Sequence, residues 1–588
     1  MYVLSCLQQT LAGKGFMLAL FVLSFCGYTF FFSIKGINKS LTPGLTIATI
    51  MCLEYTAGIL NMLPLITVLI FLSGLGLFCY STIHLVRHRE QGRQVLRHYP
   101  FWFLSLIGLL ALIRFRGTCL VAYDDFSHWG TFAKCMLVND RLPISTDTQI
   151  MFQSYPPATG LLLYYFTKIV GLGEAGMVFI HYFSKLCFLS SLYFIGEKCR
   201  LNKILAYGIL SVGILLLSIY NVTSLCLGVD QVLASCGVFC LVSAFASQIG
   251  KDRFQMLMPV LGATACVMIK NSGIFFYAMS FAAIICLAIK QRRFKTSLRD
   301  LAWMLVPIAV IYIWQRHVQL VFPAGLDAKH TMTVAHAKGV ISQKTWEEIS
   351  IELRLISGCI TNPRSNRTLI LWLGAIICSI PLFVLNGKAN DRVKSAAKYL
   401  LFFLVFSIIY EIGTLAMYLF SMPHKEILYQ NGDDYLRYNG TLDIFLSAGL
   451  ICYVCCTLDC LNNRHVTALC ALVTAVLLGV ALYPRIHLED LNPTVHAHLY
   501  YMEHTPVKLE LQAMLDELKS QPEGDCLVRV DASHNVANYT FYMMRYMTQD
   551  TNFEIYVQDD VSDFDAYWRD EATQAYCLDT VNHCILYR

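Results

Sequence analysis

The chain has 588 residues, of which 56% are hydrophobic and only 14% are charged. Soluble proteins average about 25% charged residues, so a chain of this composition is solvated largely by lipid. Apolar stretches of about 16 to 24 residues recur along most of the sequence, and about 20 apolar residues suffice for a helix that crosses a bilayer. The composition excludes a cytosolic enzyme, a coiled coil and a disordered scaffold, and it predicts a polytopic membrane protein.

The formal net charge of +5 conceals an uneven distribution. Residues 485–588 contain 7 Lys and Arg against 18 Asp and Glu, a net charge of −11, whereas residues 1–484 carry a net charge of +16. The basic residues lie in short connections between apolar runs, which argues against nucleic-acid binding. The sequence therefore predicts a multi-spanning membrane domain over 1–484 and an acidic domain over 485–588.

Hydrophobic runs predict about 13–14 transmembrane helices, so the expected fold class is an all-α polytopic membrane protein with a small extracytoplasmic α/β domain at its C-terminus. A further apolar segment, 157–171, starts at Pro156-Pro157 and has only about 15 residues, fewer than a span requires. We interpret it as a helix that lies at the outer surface or dips into the membrane. The predicted spans are 15–33, 44–61, 64–84, 101–115, 176–195, 204–220, 226–247, 254–269, 273–289, 301–321, 368–386, 399–421, 441–461 and 466–484.

Basic residues in the connections predict the orientation through the positive-inside rule. The connections 85–100, 198–203, 290–299 and 388–398 are rich in Lys and Arg, and all four can face the cytoplasm if 157–171 does not cross. The acidic domain then faces outward, and so do three long segments. These segments are 116–175, 322–367 and 422–440. The first hydrophobic run lacks a small-residue cleavage site, so it is expected to be retained as a span.

The acidic domain is expected to be a small mixed α/β unit, with a helix over 507–518 and strands over 526–530 and 553–557. Most of the 23 cysteines of the chain lie in apolar runs, where a thiol acts as a small hydrophobic group. The acidic domain contains Cys526, Cys577 and Cys584, whose spacing leaves their disulfide state open.

The first long outer segment opens with the polar sequence Ala122-Tyr-Asp-Asp-Phe-Ser-His-Trp-Gly130. The adjacent carboxylates of Asp124 and Asp125 oppose each other's ionisation, and such a pair can act as a general base or bind a divalent metal. His128 follows Asp124 by four residues, so the two side chains would share one face of a helix. The alternative is a solvated helix N-terminus that one of the two aspartates caps.

The motifs that follow this pair carry a resemblance to a known family. They are an amphipathic stretch over 132–138, Tyr155-Pro-Pro157, and Gly171-Leu-Gly-Glu174 just before the next span. This order resembles the GT-C superfamily of membrane glycosyltransferases, in the branch that contains protein O-mannosyltransferases and lipid A aminoarabinose transferases. In that branch an Asp-Glu pair opens the first outer loop, and a Pro-Pro segment leads to a Gly-x-x-Glu turn.

The resemblance is clearest over residues 100–200 and fainter to about residue 290. It implies an inverting transfer at the outer face of the membrane, in which a sugar moves from a polyprenyl phosphate to an acceptor. Asp124 would accept the acceptor's proton. Asp125, the second catalytic candidate, stands where the branch has Glu, so its role is open. Cations must neutralise the released phosphate. The residues expected to bind substrate are His128, Arg114, Arg116, Lys134, Tyr155, Lys270, Asp434 and Arg437.

The charged candidates also have structural interpretations. Arg114 and Arg116 could anchor the end of a span at the lipid headgroups, and Lys134 could contact headgroups from an amphipathic helix. Lys270 interrupts two apolar runs and needs a partner or water. The acidic and basic residues of 433–437 could form a salt-bridged turn.

Other functions fit the same composition. A membrane transporter or lipid flippase is one, but common transporter folds have internal repeats and broken helices at mid-membrane, and no convincing repeat is present here. A lipid-linked glycan polymerase or ligase would use a similar donor without the early acidic pair and Pro-Pro order. The expected partners are the bilayer, a polyprenyl-phosphate-linked sugar, and a glycan, lipid or protein acceptor at the cell membrane. The sequence indicates no certain cofactor, and it leaves open whether a divalent cation, Mg²⁺ or Mn²⁺, takes part.

Overall fold

The computed structural model is predominantly helical, with one four-stranded sheet near the C-terminus. Parts of the basic connections (200, 292–293 and 388–390) and residues 323–333 of the second outer segment lie outside the described residues. The residues described are 11–150, 152–199, 201–220, 225–249, 253–291, 294–322, 334–386, 391–460, 464–486, 488, 492, 494–522, 524–551, 553–559, 564–571 and 576–588.

The apolar runs fold into helices, and several runs carry a proline in the first helical turn, where its missing N–H group costs nothing. The helices are α1 (Leu11–Ile34), α2 (Thr42–Ile59), α3 (Leu63–Arg87), α4 (Arg89–Leu96), α5 (Tyr99–Arg114), α6 (Gly130–Asn139), α7 (Ala158–Val170), α8 (Gly173–Leu189), α9 (Tyr193–Lys198), α10 (Lys203–Ser218), α11 (Asp230–Ile249), α12 (Leu257–Ile269), α13 (Gly273–Gln291), α14 (Phe294–Trp303), α15 (Val306–Val321), α16 (Val334–Ser342), α17 (Trp346–Thr361), α18 (Thr368–Asn386), α19 (Asp391–Ser421), α20 (His424–Gln430), α21 (Asp433–Cys460) and α22 (Arg464–Leu482). Proline holds the first-turn position in α2, α3, α5 and α15.

Most predicted spans coincide with one of these helices or most of one, whereas 176–195 extends from α8 into α9 and 301–321 covers the end of α14 and all of α15. Among the described residues, eight helices are long and apolar enough to cross a membrane, or nine if the bent pair α4 and α5 forms one span. Shorter apolar runs occupy α7, α10, α18 and α22 and the segment Phe254–Ile269. The fold class, an all-α polytopic membrane protein with a small C-terminal α/β domain, is therefore confirmed. The count of 13–14 crossings stays a prediction.

The segment predicted not to cross forms α7, which has 13 residues. It starts after Pro157 and ends at Gly171, whose φ of +77° is a left-handed conformation that glycine adopts without strain. After α7 the chain lies next to the start of the first outer segment. There the carboxylate of Glu174 accepts a hydrogen bond from the backbone N–H of Leu120 at 2.8 Å. Because α7 is buried against α2, α6 and α8, it dips into the bundle and does not lie at its surface.

Contacts between distant connections define two ends of the helix bundle. At one end His98 and Ser40 contact the carboxylate of Glu197 at 3.0 and 2.5 Å, so the basic connections 85–100 and 198–203 lie together. The helices α5 and α8 lead from these connections to the opposite end, where the first outer segment lies. Two of the four basic connections that were predicted to share one side of the membrane therefore lie together. That all four share one side, and which side of the membrane it is, stays a prediction.

The C-terminal domain contains a mixed sheet and helices. Its strands are β1 (Asp525–Arg529), β2 (Glu554–Gln558), β3 (Tyr576–Asp579) and β4 (Cys584–Tyr587). They follow the order β2-β1-β3-β4, with β1 parallel to β2 and β3, and β3 antiparallel to β4. Parallel neighbours need a crossover connection, and a helix supplies it between β1 and β2. The predicted helix and two strands are confirmed, and the sequence analysis missed β3 and β4. The helices are α23 (Thr505–Leu518), α24 (Tyr539–Met547) and α25 (Phe564–Ala566).

The C-terminal domain docks on the first outer segment through a buried ion pair. Lys508, only 4% exposed, donates to both carboxylate oxygens of Glu174 at 2.9 and 2.8 Å and to the carbonyl of Leu120 at 2.7 Å. The hydroxyl of Tyr539 donates to the carbonyl of Val121 at 2.7 Å. These contacts hold the residues immediately before the acidic pair, so the C-terminal domain positions that part of the chain.

We expect Lys508→Met to destabilise the protein by about 2 to 3 kcal/mol, because the partly buried carboxylate of Glu174 loses its cation. Lys519→Met, which breaks an exposed pair with Asp516, should cost at most about 0.5 kcal/mol. Thermal unfolding of both variants and the wild type in detergent measures the difference. Equal melting temperatures of the two variants would contradict the assignment of Lys508 as a main docking contact.

Candidate functional site

Four charged side chains that are distant in sequence form a continuous series of ion pairs, which we call the ion-pair chain. Arg437 donates to a carboxylate oxygen of Asp124 at 2.6 Å. Its Nε lies 3.6 Å from one carboxylate oxygen of Asp230, and the other oxygen of Asp230 accepts a hydrogen bond from Lys270 at 2.6 Å. Because acids and bases alternate along this chain, each charge has an opposite neighbour that offsets its desolvation.

Helix ends bring the members of the ion-pair chain together. Asp230 opens α11, Lys270 follows α12 in an extended conformation, and Arg437 lies in the second turn of α21. Asp124 immediately precedes a π-helical turn, Asp125–Trp129. The N-termini of α11 and α21 carry partial positive charge, which favours anions at this point.

Aromatic rings border the ion-pair chain. The Nζ of Lys270 lies 4.9 Å from the centre of the Tyr438 ring, and the guanidinium carbon of Arg437 lies 5.2 Å from the same centre. Both distances are in the range of cation–π attraction. Tyr155 interacts electrostatically with Arg437, and burial raises the pKa of its hydroxyl, which therefore stays protonated and able to donate a hydrogen bond.

One end of the ion-pair chain is accessible and the other is buried. The side chains of Asp124 and Arg437 are 41% and 34% exposed, whereas those of Asp230 and Lys270 are 8% and 15% exposed. Asp434, in the first turn of α21, interacts electrostatically with Arg437 and Asp124. A ligand that enters from solvent or from the lipid interface therefore meets Asp124 and Arg437 first.

Asp125 and His128 lie in a different environment from Asp124. The side chain of Asp125 is fully buried, and one of its oxygens accepts a hydrogen bond from the backbone N–H of Leu227 at 2.8 Å. Burial raises the pKa of Asp125 to about 8, and burial lowers the pKa of His128 to about 3. The ring of His128 packs edge-on against Tyr155. Burial thus favours the neutral form of both groups, and Asp125 links the first outer segment to the residues before α11.

The structure places the remaining predicted cations elsewhere. The Nζ of Lys134 lies 3.0 Å from the carbonyl oxygen of Met547 and 3.3 Å from the carboxylate of Asp550, so it contacts the C-terminal domain and not lipid headgroups. Arg114 lies at the end of α5 with its guanidinium 5.9 Å from the centre of the Phe115 ring. Arg116 is exposed. These positions fit the alternative in which the two arginines anchor the end of a span.

The sequence analysis missed two residues that support the site. The ring of Tyr438 contacts both Lys270 and Arg437. Nothing in the sequence distinguishes this tyrosine from the others. The burial of Lys508 could have been predicted, because it precedes Leu511 and Leu515 at the spacing of the apolar face of α23. A lysine on the buried face of a helix in an acidic domain requires a buried acid as its partner.

The described residues contain no group of three or more His, Cys, Asp or Glu side chains that could hold a metal ion. Asp125, one of the two adjacent carboxylates that could bind a divalent metal, directs one oxygen at a backbone N–H. The positive charge next to Asp124 comes from Arg437. Cys526, Cys577 and Cys584 are free thiols.

Comparisons with known proteins add little to this geometry. No protein-family model matches the sequence, and no curated protein matches it. Among solved structures, the crystal structure of ArnT from Cupriavidus metallidurans in the apo state overlaps 80% of this chain and 91% of that chain, at 12% sequence identity and a TM-score of 0.36. An overlap at this TM-score supports no conclusion about the chemistry of this chain.

Asp125→Asn should keep the fold, because an amide has the shape of the protonated carboxyl and can accept the Leu227 N–H. The folded-state pKa of Asp125 is raised from 3.8 to about 8. The wild type therefore loses stability as the pH rises from about 4 to about 8, by up to ~1.4 kcal/mol per pH unit. The variant should lack this component. Melting temperatures from about pH 5 to pH 9 test the expectation, and parallel profiles of the two proteins would show that Asp125 is ionised.

Proposed function

We propose that the chain is a membrane glycosyltransferase, which moves a sugar from a polyprenyl-phosphate donor to a glycan, lipid or protein acceptor. The observation that carries the proposal is the contact between the half-exposed carboxylate of Asp124 and the guanidinium of Arg437. A base for the acceptor and a cation for the donor's phosphate thus lie side by side. The order of motifs over residues 100–200, which resembles the GT-C superfamily, supports the same chemistry.

In the proposed reaction, an acceptor hydroxyl or amine attacks the anomeric carbon of the donor sugar. Asp124 accepts the acceptor's proton while the new bond to the anomeric carbon forms. The bond between that carbon and the phosphate oxygen breaks, and the electron pair leaves with polyprenyl phosphate. Arg437 and Lys270 neutralise the charge that develops on the phosphate. Attack from the face opposite the phosphate inverts the anomeric centre.

The pairing of Asp124 with Arg437 suggests an order of events. A guanidinium has five N–H donors in a planar fork, which suits a phosphate better than a single carboxylate oxygen. A donor phosphate would therefore replace Asp124 on Arg437 and free this carboxylate for the acceptor. Asp230 lies against Arg437 from the other side, so the guanidinium stays in place during the exchange. Donor binding would thus prepare the base.

Asp230 would keep the two cations together in the absence of donor. It lies between Arg437 and Lys270, and its carboxylate is nearly buried. Without an acid at this point, two adjacent cations at the end of a helix bundle would repel each other. The phosphate would add negative charge to a site that is already arranged around it, so little reorganisation would be needed during the reaction.

We further propose that the reaction takes place at the outer face of the cell membrane. The ion-pair chain lies at the end of the bundle opposite the contact between His98 and Glu197, which joins two basic connections. The positive-inside rule assigns such connections to the cytoplasm. On this assignment the C-terminal domain is extracytoplasmic, next to the acceptor.

Asp124→Asn should lower the rate of transfer by at least about 100-fold, because an amide cannot accept the acceptor's proton. Purified wild type and variant would be incubated with several polyprenyl-phosphate sugars and an extract of membrane lipids and glycans. Release of polyprenyl phosphate would be followed by mass spectrometry. Asp516→Asn, at an exposed position on α23, is the matched control and should turn over at the wild-type rate.

Two results would contradict this assignment in different ways. Wild-type turnover by Asp124→Asn would show that another group is the base. Movement of an intact lipid-linked sugar across vesicle membranes, without release of polyprenyl phosphate from any donor, would favour a transporter or flippase.

A chelator should leave the rate of transfer within about twofold of its starting value, because Arg437 and Lys270 already provide positive charge for the phosphate. The measurement is the release of polyprenyl phosphate before and after treatment with EDTA. If activity falls and then returns with added Mg²⁺ or Mn²⁺, a divalent cation takes part in the reaction and this expectation is wrong.

A further inference from the structure

A second ionic network lies outside the ion-pair chain, between α17 and the segment that leads into α21. Glu352 on α17 is fully buried, and its two oxygens accept hydrogen bonds from Lys344 and from the Nδ1 of His424, both at 2.9 Å. Lys344 also donates to the carbonyls of Tyr418 and Leu419 at the end of α19. Burial makes an unpaired charge costly, so this network stabilises one arrangement of the three helices around it.

The network contacts the start of the segment that leads to Arg437. His424 is the first residue of α20, and only a tight turn separates α20 from α21. In that turn Asn431 and Gly432 have positive φ values of 45° and 86°. A Cβ on Gly432 would lie 2.8 Å from the Sγ of Cys359 on α17, so the turn is pressed against the helix that carries Glu352.

Apolar side chains connect α17 with Tyr438, whose ring contacts Arg437 and Lys270. Ile356, one turn after Glu352, belongs to a buried cluster that includes Tyr435 and Tyr438 of α21. Tyr438 is the ring against which Arg437 and Lys270 lie. The first turns of α21, which carry Arg437, therefore pack against α17.

We propose that Glu352 is a positioning residue, which acts through His424 to orient the start of α21 so that Arg437 meets the phosphate of the lipid-linked donor. This inference rests on the proposed function and deepens it. Glu352 lies against the supporting helices and acts on the donor only through Arg437. Its loss should therefore weaken donor binding more than it slows the chemical step.

The test changes His424 and leaves the buried pair of Lys344 and Glu352 intact, so that the variants fold. His424→Leu removes the hydrogen-bond donor to Glu352, whereas His424→Asn keeps an N–H group close to the position of Nδ1. Lys425→Gln, at an exposed neighbour on α20, is the matched control. The full-length protein in lipid nanodiscs would be titrated with undecaprenyl phosphate, and KM and kcat for the donor would be measured with the same samples.

We expect His424→Leu to weaken the binding of undecaprenyl phosphate about fivefold and to raise the donor KM by a similar factor, with a smaller change in kcat. His424→Asn and Lys425→Gln should bind as the wild type does. A lower kcat at unchanged KM in His424→Leu would overturn the proposal, because positioning of the phosphate acts on binding.

Arg437→Gln separates this inference from the proposed function. If Arg437→Gln loses binding and His424→Leu does not, Glu352 has no positioning role and the proposed phosphate site stands. If Arg437→Gln binds undecaprenyl phosphate as tightly as the wild type, the phosphate site is wrong and both proposals fail.

Discussion

The guanidinium of Arg437 lies between the carboxylates of Asp124 and Asp230, and the relative positions of several helix ends depend on this contact. Lys270 joins the same arrangement through Asp230. Asp124 and Arg437 are separated by 313 positions in the sequence. A charge at the edge of a membrane is costly unless it is paired or hydrated, so each member of the ion-pair chain requires its neighbours. This requirement draws the first outer segment, α11, α12 and α21 to one point.

Asp124 and Arg437, which form the central contact, are held in place by different parts of the chain. The C-terminal domain holds the Asp124 side, through Lys508 and its hydrogen bonds to Glu174 and Leu120. The Arg437 side rests on α17, whose Glu352 binds the start of α20. Because Asp124, which we propose as the base, and Arg437, which we propose as the phosphate-binding cation, are supported by different parts of the chain, we expect that proton transfer and donor binding can be changed independently. The acidic domain thus contributes to the geometry of the site and not only to the surface of the protein.

The fold class could be predicted from the sequence because hydrophobic runs of span length leave few alternatives for a chain in lipid. The interruption by Pro156, Pro157 and Gly171 likewise predicted a short helix, which the structure has as the 13 residues of α7. Its burial in the bundle could not be predicted, since an apolar helix of this length suits a membrane surface and a protein interior equally well. The strands β3 and β4 were missed because each has only four residues, too few for a periodic pattern.

Asp124 and Asp125 are adjacent in the sequence but lie in different environments in the tertiary structure. The sequence predicted the membrane class, the acidic C-terminal domain, two basic connections that lie together at one end of the bundle, and the candidates Asp124, Lys270 and Arg437. These features follow from composition, periodicity and charge, which are local properties of a chain. Only the tertiary structure decided that Asp124 pairs with Arg437 while Asp125 turns inward to a backbone N–H. Adjacent residues of the same type can differ in this way because burial and pairing depend on which distant segments pack beside them.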